Sequence, residues 1–207
     1  MEIIIARHGQ SVANANKIFA GQKNYPLTPL GKRQARQNSE KVAAEPFGAV
    51  FVSDLGRAYA TFKRLKPKSS KIVVTPLLRE RGLGEIEGND PRAFGLGHDF
   101  EEKFYKRDEE FHKKHGMETL EDTLKRADEA IRLIKATKAD KVLVVAHGTF
   151  NSYLISRLLG ESEEKLVYSP QKNDELHYVK LDNYGRPVQA ILDWQGKKPI
   201  DRLKKKK

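Results

Sequence analysis

The chain contains no cysteine among its 207 residues. Disulfides, thiolate metal sites and cysteine nucleophiles are therefore excluded, and a cytoplasmic setting is the simpler expectation. Long apolar runs are missing too: none exceeds about eight residues, well short of the roughly 20 that span a bilayer, so no membrane partner is expected. The acid Glu2 opens the first apolar run, which argues against a secretory signal. No G-x-S-x-G elbow is present for a serine hydrolase, and no G-x-x-x-x-G-K-[ST] loop for a nucleotide phosphate. Aromatic residues make up only 8% of the chain and do not alternate with basic ones as a base-stacking platform requires. The formal net charge of +11 is therefore not read as a nucleic-acid footprint. Part of that charge sits in Lys197, Lys198, Arg202 and Lys204 to Lys207, and residues 197–207 are expected to form a solvated, disordered basic tail. Elsewhere lysine and arginine are interleaved with acids, as in KFYKRDEEFHKKH.

What the chain does contain is short runs of branched apolar residues: EIIIA (2–6), AVFVS (49–53), KIVVT (71–75) and KVLVVA (141–146). Continuous Val and Ile runs of this length are the pattern of strands covered on both faces. Helical stretches lie between them. PLGKRQARQNSEKVAA (29–44) follows Thr28 as a cap and has Pro29 in its first turn, and DLGRAYATFKRL (54–65) has Ser53 or Asp54 as its expected cap. Residues 119–137 place Leu120, Leu124, Ala127, Ile131 and Ile134 at helical spacing behind a Thr119 cap, and TFNSYLISRLLG closes on Gly160. Strands alternating with helices predict an α/β fold, a three-layer α/β/α sandwich around a mostly parallel sheet. LHYVKLDNYGRPVQAILDW reads as a C-terminal antiparallel hairpin turning at NYGRP. Residues 1–196 are expected to form one domain, with a charged helical insertion or lid at about 89–117.

Open α/β sheets bind ligands at the carboxyl ends of their strands. Arg7 and His8 follow the first run, Ser53 and then Arg57 the second, Glu80 the third, and His147 and Gly148 the fourth. Any one of these taken alone is an ordinary polar residue; their convergence on one sheet edge is what points to a site. His98, His112, His115 and His177 fall in the insertion or the hairpin and are read as structural. Two guanidiniums offer planar donor forks for the oxygens of a phosphoryl group. The same cations beside both histidines oppose a divalent metal, so none is expected. With cysteine absent, histidine is the best remaining nucleophile, and a neutral imidazole can accept a phosphoryl group.

The motifs around these residues resemble the histidine phosphatase superfamily, the phosphoglycerate mutase-like proteins. ARHGQSVAN is similar to that family's R-H-G-[EQ]-[ST]-x-x-N opening, with Arg7, His8 and Asn14 in place. FAGQKNYPLTPLGKRQA resembles the next block and puts Gly21 and Gln22 near the substrate, while VSDLGRAYAT puts Arg57 in the arginine position. LLRERGLGEIEG places Glu80 at the proton donor, and VLVVAHG carries the second histidine, His147. The resemblance implies in-line attack by His8, with Arg7, Arg57, Asn14, His147 and Gly148 on the phosphoryl oxygens and Gly9 leaving room for the backbone beside phosphate. Glu80 would protonate the leaving alkoxide and later accept a proton from the hydrolytic water, opposed by Arg79 and Arg81 if those point inward. No organic cofactor is implied. Gln10, Gly56 and Ile86 depart from the commoner pattern without removing a catalytic group.

Mutases of this family use extra basic residues to grip a second anionic group. The insertion here offers Arg92, Lys103, Lys106, Arg107, Lys113 and Lys114, with no adjacent arginine pair. The expectation is therefore a phosphomonoesterase acting on a small phosphorylated metabolite of the sugar phosphate or phosphoglycerate type. Phosphoglycerate mutase is the alternative. A non-catalytic phosphate-binding module comes third, since its mark would be the loss of His8, Glu80 or His147. A monomer and a homodimer are equally compatible with the sequence.

Overall fold

A computed structural model describes residues 1–43, 46–90, 94, 109–161 and 171–193. In β1 (Glu2–Arg7) the residues Ile3, Ile4 and Ile5 are all fully buried. Strand periodicity sends Ile3 and Ile5 to one face and Ile4 and Ala6 to the other, so helices must cover both. β4 (Lys141–Ala146) divides in the same way, with Val142, Val144 and Ala146 on the first face and Leu143 and Val145 on the second. On the first face lie α5 (Leu120–Lys135) and α6 (Gly148–Leu159); on the second lie α2 (Pro29–Val42) and α3 (Gly56–Leu65). This is the three-layer α/β/α arrangement expected from the sequence. Each fully buried isoleucine contributes about 1.5–3 kcal/mol, which anchors the height at which Arg7 and His8 emerge from β1.

The six strands run in the order β3-β2-β4-β1-β5-β6, with β2 (Ala49–Ser53), β3 (Ile72–Thr75), β5 (Leu176–Leu181) and β6 (Pro187–Ile191). The pairs among β3, β2, β4 and β1 are parallel, and β5 and β6 add antiparallel strands as the C-terminal hairpin. The register sets Arg7 opposite Ala146, so His8 and His147 leave adjacent strands side by side. The chain leaves β1 toward α2 on one face and β4 toward α6 on the other, which opens a crevice at the carboxyl ends of these two strands. That is the topological switch point where α/β sheets bind ligands.

The helix caps form at Thr28, whose hydroxyl accepts from Gly31 N–H, at Thr119, which accepts from Asp122 N–H, and at Gly160 with φ +71°. Two expectations change. Helix α3 begins at Gly56 with Leu55, which has no side-chain acceptor, at the cap position, and Asn24 Oδ1 accepts from Gly56 N–H at 2.8 Å in its place. β3 is an edge strand and not covered on both faces: Ile72 and Val74 are half exposed. Of the insertion at 89–117, the described residues include one short helix, α4 (Glu109–Lys114); α1 (Val12–Ala15) is a single turn that follows β1. Residues 91–93 and 95–108, with Arg92, His98, Lys103, Lys106 and Arg107, and the tail at 197–207, lie outside the described residues. No helix among the described residues is long and apolar enough to cross a membrane.

Candidate active site

His8 is buried at the end of β1 and its backbone N–H still donates to Ala146 C=O at 3.0 Å. Its Nδ1 lies 2.8 Å from its neighbour's carbonyl, Gly9 O. A carbonyl only accepts, so Nδ1 carries the proton and Nε2 keeps a lone pair. Arg57 Nε donates to that lone pair at 3.1 Å. The rest of the Arg57 fork is fixed by Lys23 C=O at 2.7 Å and Gly21 C=O at 2.6 Å, and the residue is 1% exposed. Burial, the Arg57 charge and the Arg7 charge, in that order, hold His8 well below the usual imidazole pKa, against the opposing pull of the Gly9 carbonyl. The ring is therefore neutral at pH 7, with its lone pair on Nε2.

The second imidazole, His147, stands 5.1 Å from His8 between ring centroids and is fully buried. Its Nε2 meets Ser53 Oγ at 2.8 Å, and burial together with Arg57, His8, Arg7 and Arg126 also pushes its pKa well down. Arg7 donates to Gln171 C=O. A Cβ on Gly148 would lie 2.9 Å from the Arg7 guanidinium carbon, so glycine is what lets that guanidinium lie against the start of α6. Burial lowers the Arg57 pKa to about 10, which leaves it charged at neutral pH. The buried Arg57 and half-buried Arg7 guanidiniums stand around two neutral imidazoles, a cluster with a surplus of positive charge that an anion would balance.

Glu80 is brought to the same end of the sheet. Its carboxylate accepts from Phe150 N–H at 2.9 Å, Thr149 N–H at 3.2 Å and Arg81 N–H at 3.0 Å, so it sits on the first turn of α6. The flanking arginines do not point inward. Arg79 grips Asp54 with two nitrogens, at 2.6–3.1 Å, and Arg81 donates to Glu118 C=O and lies against His112. Gln22 Nε2 donates to Glu80 C=O at 3.1 Å, holding the loop that presents the acid. Gly21 has φ +47° and would press a Cβ into the Glu87 carboxylate at 2.2 Å; its carbonyl serves to orient Arg57. Asn14 Oδ1 is engaged by Ser11 N–H at 3.1 Å and Ser11 O–H at 3.0 Å in a capping box, leaving its Nδ2 as the donor end. Gly9 has a packing reason of its own. A Cβ there would meet Gly31 C=O of α2 at 2.2 Å, so the glycine makes room for that helix.

Three contributors carried no sequence signal of their own. Gln171, 2% exposed, donates to Ile5 C=O and Glu175 C=O and accepts from Asn151, while its own carbonyl holds Arg7. Asn173 donates to His8 C=O at 2.7 Å and reaches Asn14 Oδ1 at 3.5 Å. Arg126 binds the carbonyls of Leu77, Arg79 and Glu80, pairs with Glu118 and stacks on Phe150, so the Glu80 loop is clamped from behind. Only the strand order, which sets the segment before β5 beside β1, would have pointed to Gln171 and Asn173. The histidines read as structural lie apart from the cluster. His112 packs on Arg81, His115 stands 3.3 Å from Glu85, and His177 accepts from Asp193 N–H. The described basic residues of the insertion, Lys113 and Lys114, are exposed, with Lys113 paired to Glu109.

Paired neutral histidines among guanidiniums, at the switch point of a mostly parallel sheet, make a candidate anion site in an α/β protein. Residues 3–193 match the histidine phosphatase superfamily (branch 1), and the chain belongs to that family. Among curated relatives, a protein of Yersinia enterocolitica named as a probable phosphoglycerate mutase, GpmB, is 35% identical over 88 residues, 42% of this chain and 41% of the relative. The match thus spans about two fifths of that relative's length. A Serratia proteamaculans protein of the same name is 29% identical over 167 residues, covering 77% of this chain and 75% of its own. Among solved structures, the alpha-ribazole phosphatase of Shigella flexneri superimposes with a TM-score of 0.77 over 98% of this chain and 100% of its own, at 20% identity, a likeness of fold.

Proposed function

We propose that this chain is a phosphomonoester hydrolase that works through a phosphohistidine on His8 and acts on a small phosphorylated metabolite, of the sugar phosphate or phosphoglycerate type. One observation carries the reading: His8 has its Nδ1 proton tied to Gly9 C=O and its Nε2 lone pair facing Arg57, in a buried, cation-rich cluster that keeps the ring neutral.

When a phosphoryl group enters, its oxygens compete with His8 for the Arg57 Nε–H. As that donor turns to the phosphate, the Nε2 lone pair is released in line with phosphorus. Nε2 then forms the N–P bond while the ester P–O bond breaks. Arg7, Arg57, His147, Gly148 and the donor end of Asn14 balance charge on the three equatorial oxygens. Glu80 hands its proton to the departing alkoxide. In the second half it accepts a proton from the water that attacks phosphorus, and the N–P bond breaks to return neutral His8 and inorganic phosphate. Gly21 and Gln22 act on the substrate side of this loop through Arg57 and Glu80. All of these groups are the protein's own, so the reading needs no metal and no organic cofactor, and its setting is the cytoplasm.

The test is phosphate release from a generic phosphate ester together with trapping of an acid-labile, base-stable phosphoenzyme. Both are expected in the wild type and absent from His8→Ala; turnover retained by His8→Ala would overturn the nucleophile assignment. A second reading, phosphoglycerate mutase, is favoured by the names of the curated relatives. A panel of phosphorylated metabolites, scored for free phosphate and for interconversion of 3- and 2-phosphoglycerate, separates the two.

A further inference from the structure

Ser53 closes β2 at the same edge as Arg7 and Ala146, and it is completely buried. Its Oγ makes two contacts: it accepts from Leu55 N–H at 3.3 Å and meets His147 Nε2 at 2.8 Å. A serine hydroxyl has one proton to give. If His147 donated to Ser53, that proton would be left in a fully buried place with no acceptor. If Ser53 donates to His147, the hydroxyl is satisfied on both sides. The imidazole proton then resides on Nδ1, and Nδ1 is the ring nitrogen that no hydrogen bond reaches among the described residues. Leaving a buried donor unmet costs about 1–3 kcal/mol, so such an atom calls for an explanation. Here the explanation is close at hand, because the ring stands 5.1 Å from that of His8.

We propose that Ser53 is a positioning residue that fixes His147 as the Nδ1–H tautomer, so that a buried, unspent N–H is held ready beside His8 for a phosphoryl oxygen. This rests on the phosphoryl-transfer reading for what the donor meets, but the tautomer itself is a property of the resting protein. The hydrogen bond made by one ring nitrogen sets the state of the other. A ring flipped to the Nε2–H form would present a lone pair at Nδ1 and repel the anion in place of binding it.

The experiment uses the full chain and two readouts. Long-range nitrogen–proton correlation spectra of imidazole-labelled wild type at pH 7.5 assign the His147 tautomer, and titration with orthovanadate gives a dissociation constant. The wild type is expected to show the His147 proton on Nδ1. Ser53→Ala is expected to show a mixed or Nε2–H ring and vanadate binding roughly tenfold weaker, the scale of one hydrogen bond to a charged group. Ser53→Thr, which keeps the hydroxyl, is expected to restore the Nδ1–H signature. A wild-type proton on Nε2 overturns the proposal even if a variant fails to fold, and so does unchanged vanadate affinity in a folded Ser53→Ala. A wild type that bears the Nδ1–H ring and binds vanadate but hydrolyses no phosphate ester upholds Ser53's role and overturns the hydrolase reading instead.

Discussion

Burying two histidines next to guanidiniums has a cost that acid should reveal. His8 and His147 both have folded-state pKa values well below the ordinary 6.5, chiefly through burial and then through Arg57. In the unfolded chain both take up protons near pH 6.5. Below that value the unfolded state binds more protons than the folded one, so stability is full above pH 6.5 and falls as the pH drops toward the depressed folded values. A group with an unfolded pKa of 6.5 that stays neutral when folded loses about 1.4 kcal/mol between pH 7.5 and 5.5. The pair therefore loses about 2.7 kcal/mol, with a further fraction from His177, whose pKa burial also lowers. Carboxylates such as Glu175 and Asp182 shift downward from 4.5 and 3.8, so their losses begin at lower pH and leave this window clear.

Urea unfolding followed at pH 7.5, 6.5 and 5.5 reads the effect directly, because a loss of this size is a large part of the 5–15 kcal/mol that holds a domain together. The control is His8→Asn, which removes one titrating ring and should shrink the loss by about 1.4 kcal/mol. A wild-type loss below about 0.5 kcal/mol, or an equal loss in His8→Asn, would show that the rings are not held neutral by the fold. The nucleophile assignment would then lose its main physical support.

Three further outcomes test the surrounding parts. Glu80→Gln should lower kcat roughly 10²–10⁴-fold on an alkyl phosphate, with KM changed little, and far less on a nitrophenyl ester whose leaving group needs no proton; equal losses on both would remove Glu80 as the acid. Gly148→Ala places a methyl 2.9 Å from the Arg7 guanidinium carbon, so Arg7 must shift, and KM for a phosphate ester is expected to rise roughly tenfold while the thermal midpoint changes little. Dialysis against a chelator should leave turnover unchanged, and activity lost to chelation and restored by a divalent ion would contradict the metal-free reading.

How far the site could be read in advance depended on whether local pattern or strand order decided each residue. Arg7 and His8 were legible because EIIIA reads as a strand, here buried on both faces, and a buried strand ends where its polar residues begin. The same reasoning reaches His147 from KVLVVA, and the caps at Thr28, Thr119 and Gly160 follow from chemistry within one turn. KIVVT looks no different from those runs, yet its Ile72 and Val74 are half exposed, since an apolar run records β-propensity and not the number of neighbours its strand will have. Gln171 and Asn173 lie about 165 positions from the residues they hold, and nothing in SPQKNDE distinguishes a surface loop from one that supports Arg7 and His8. Arg79 and Arg81 flank Glu80 in sequence, but alternate side-chain directions and nearby acceptors, Asp54 and Glu118 C=O, draw both away from the site. What the sequence hides is therefore direction. A motif names which chemical groups come to the edge, and the fold decides where each one's proton or lone pair points, as the Gly9 carbonyl does for His8 and Ser53 Oγ for His147.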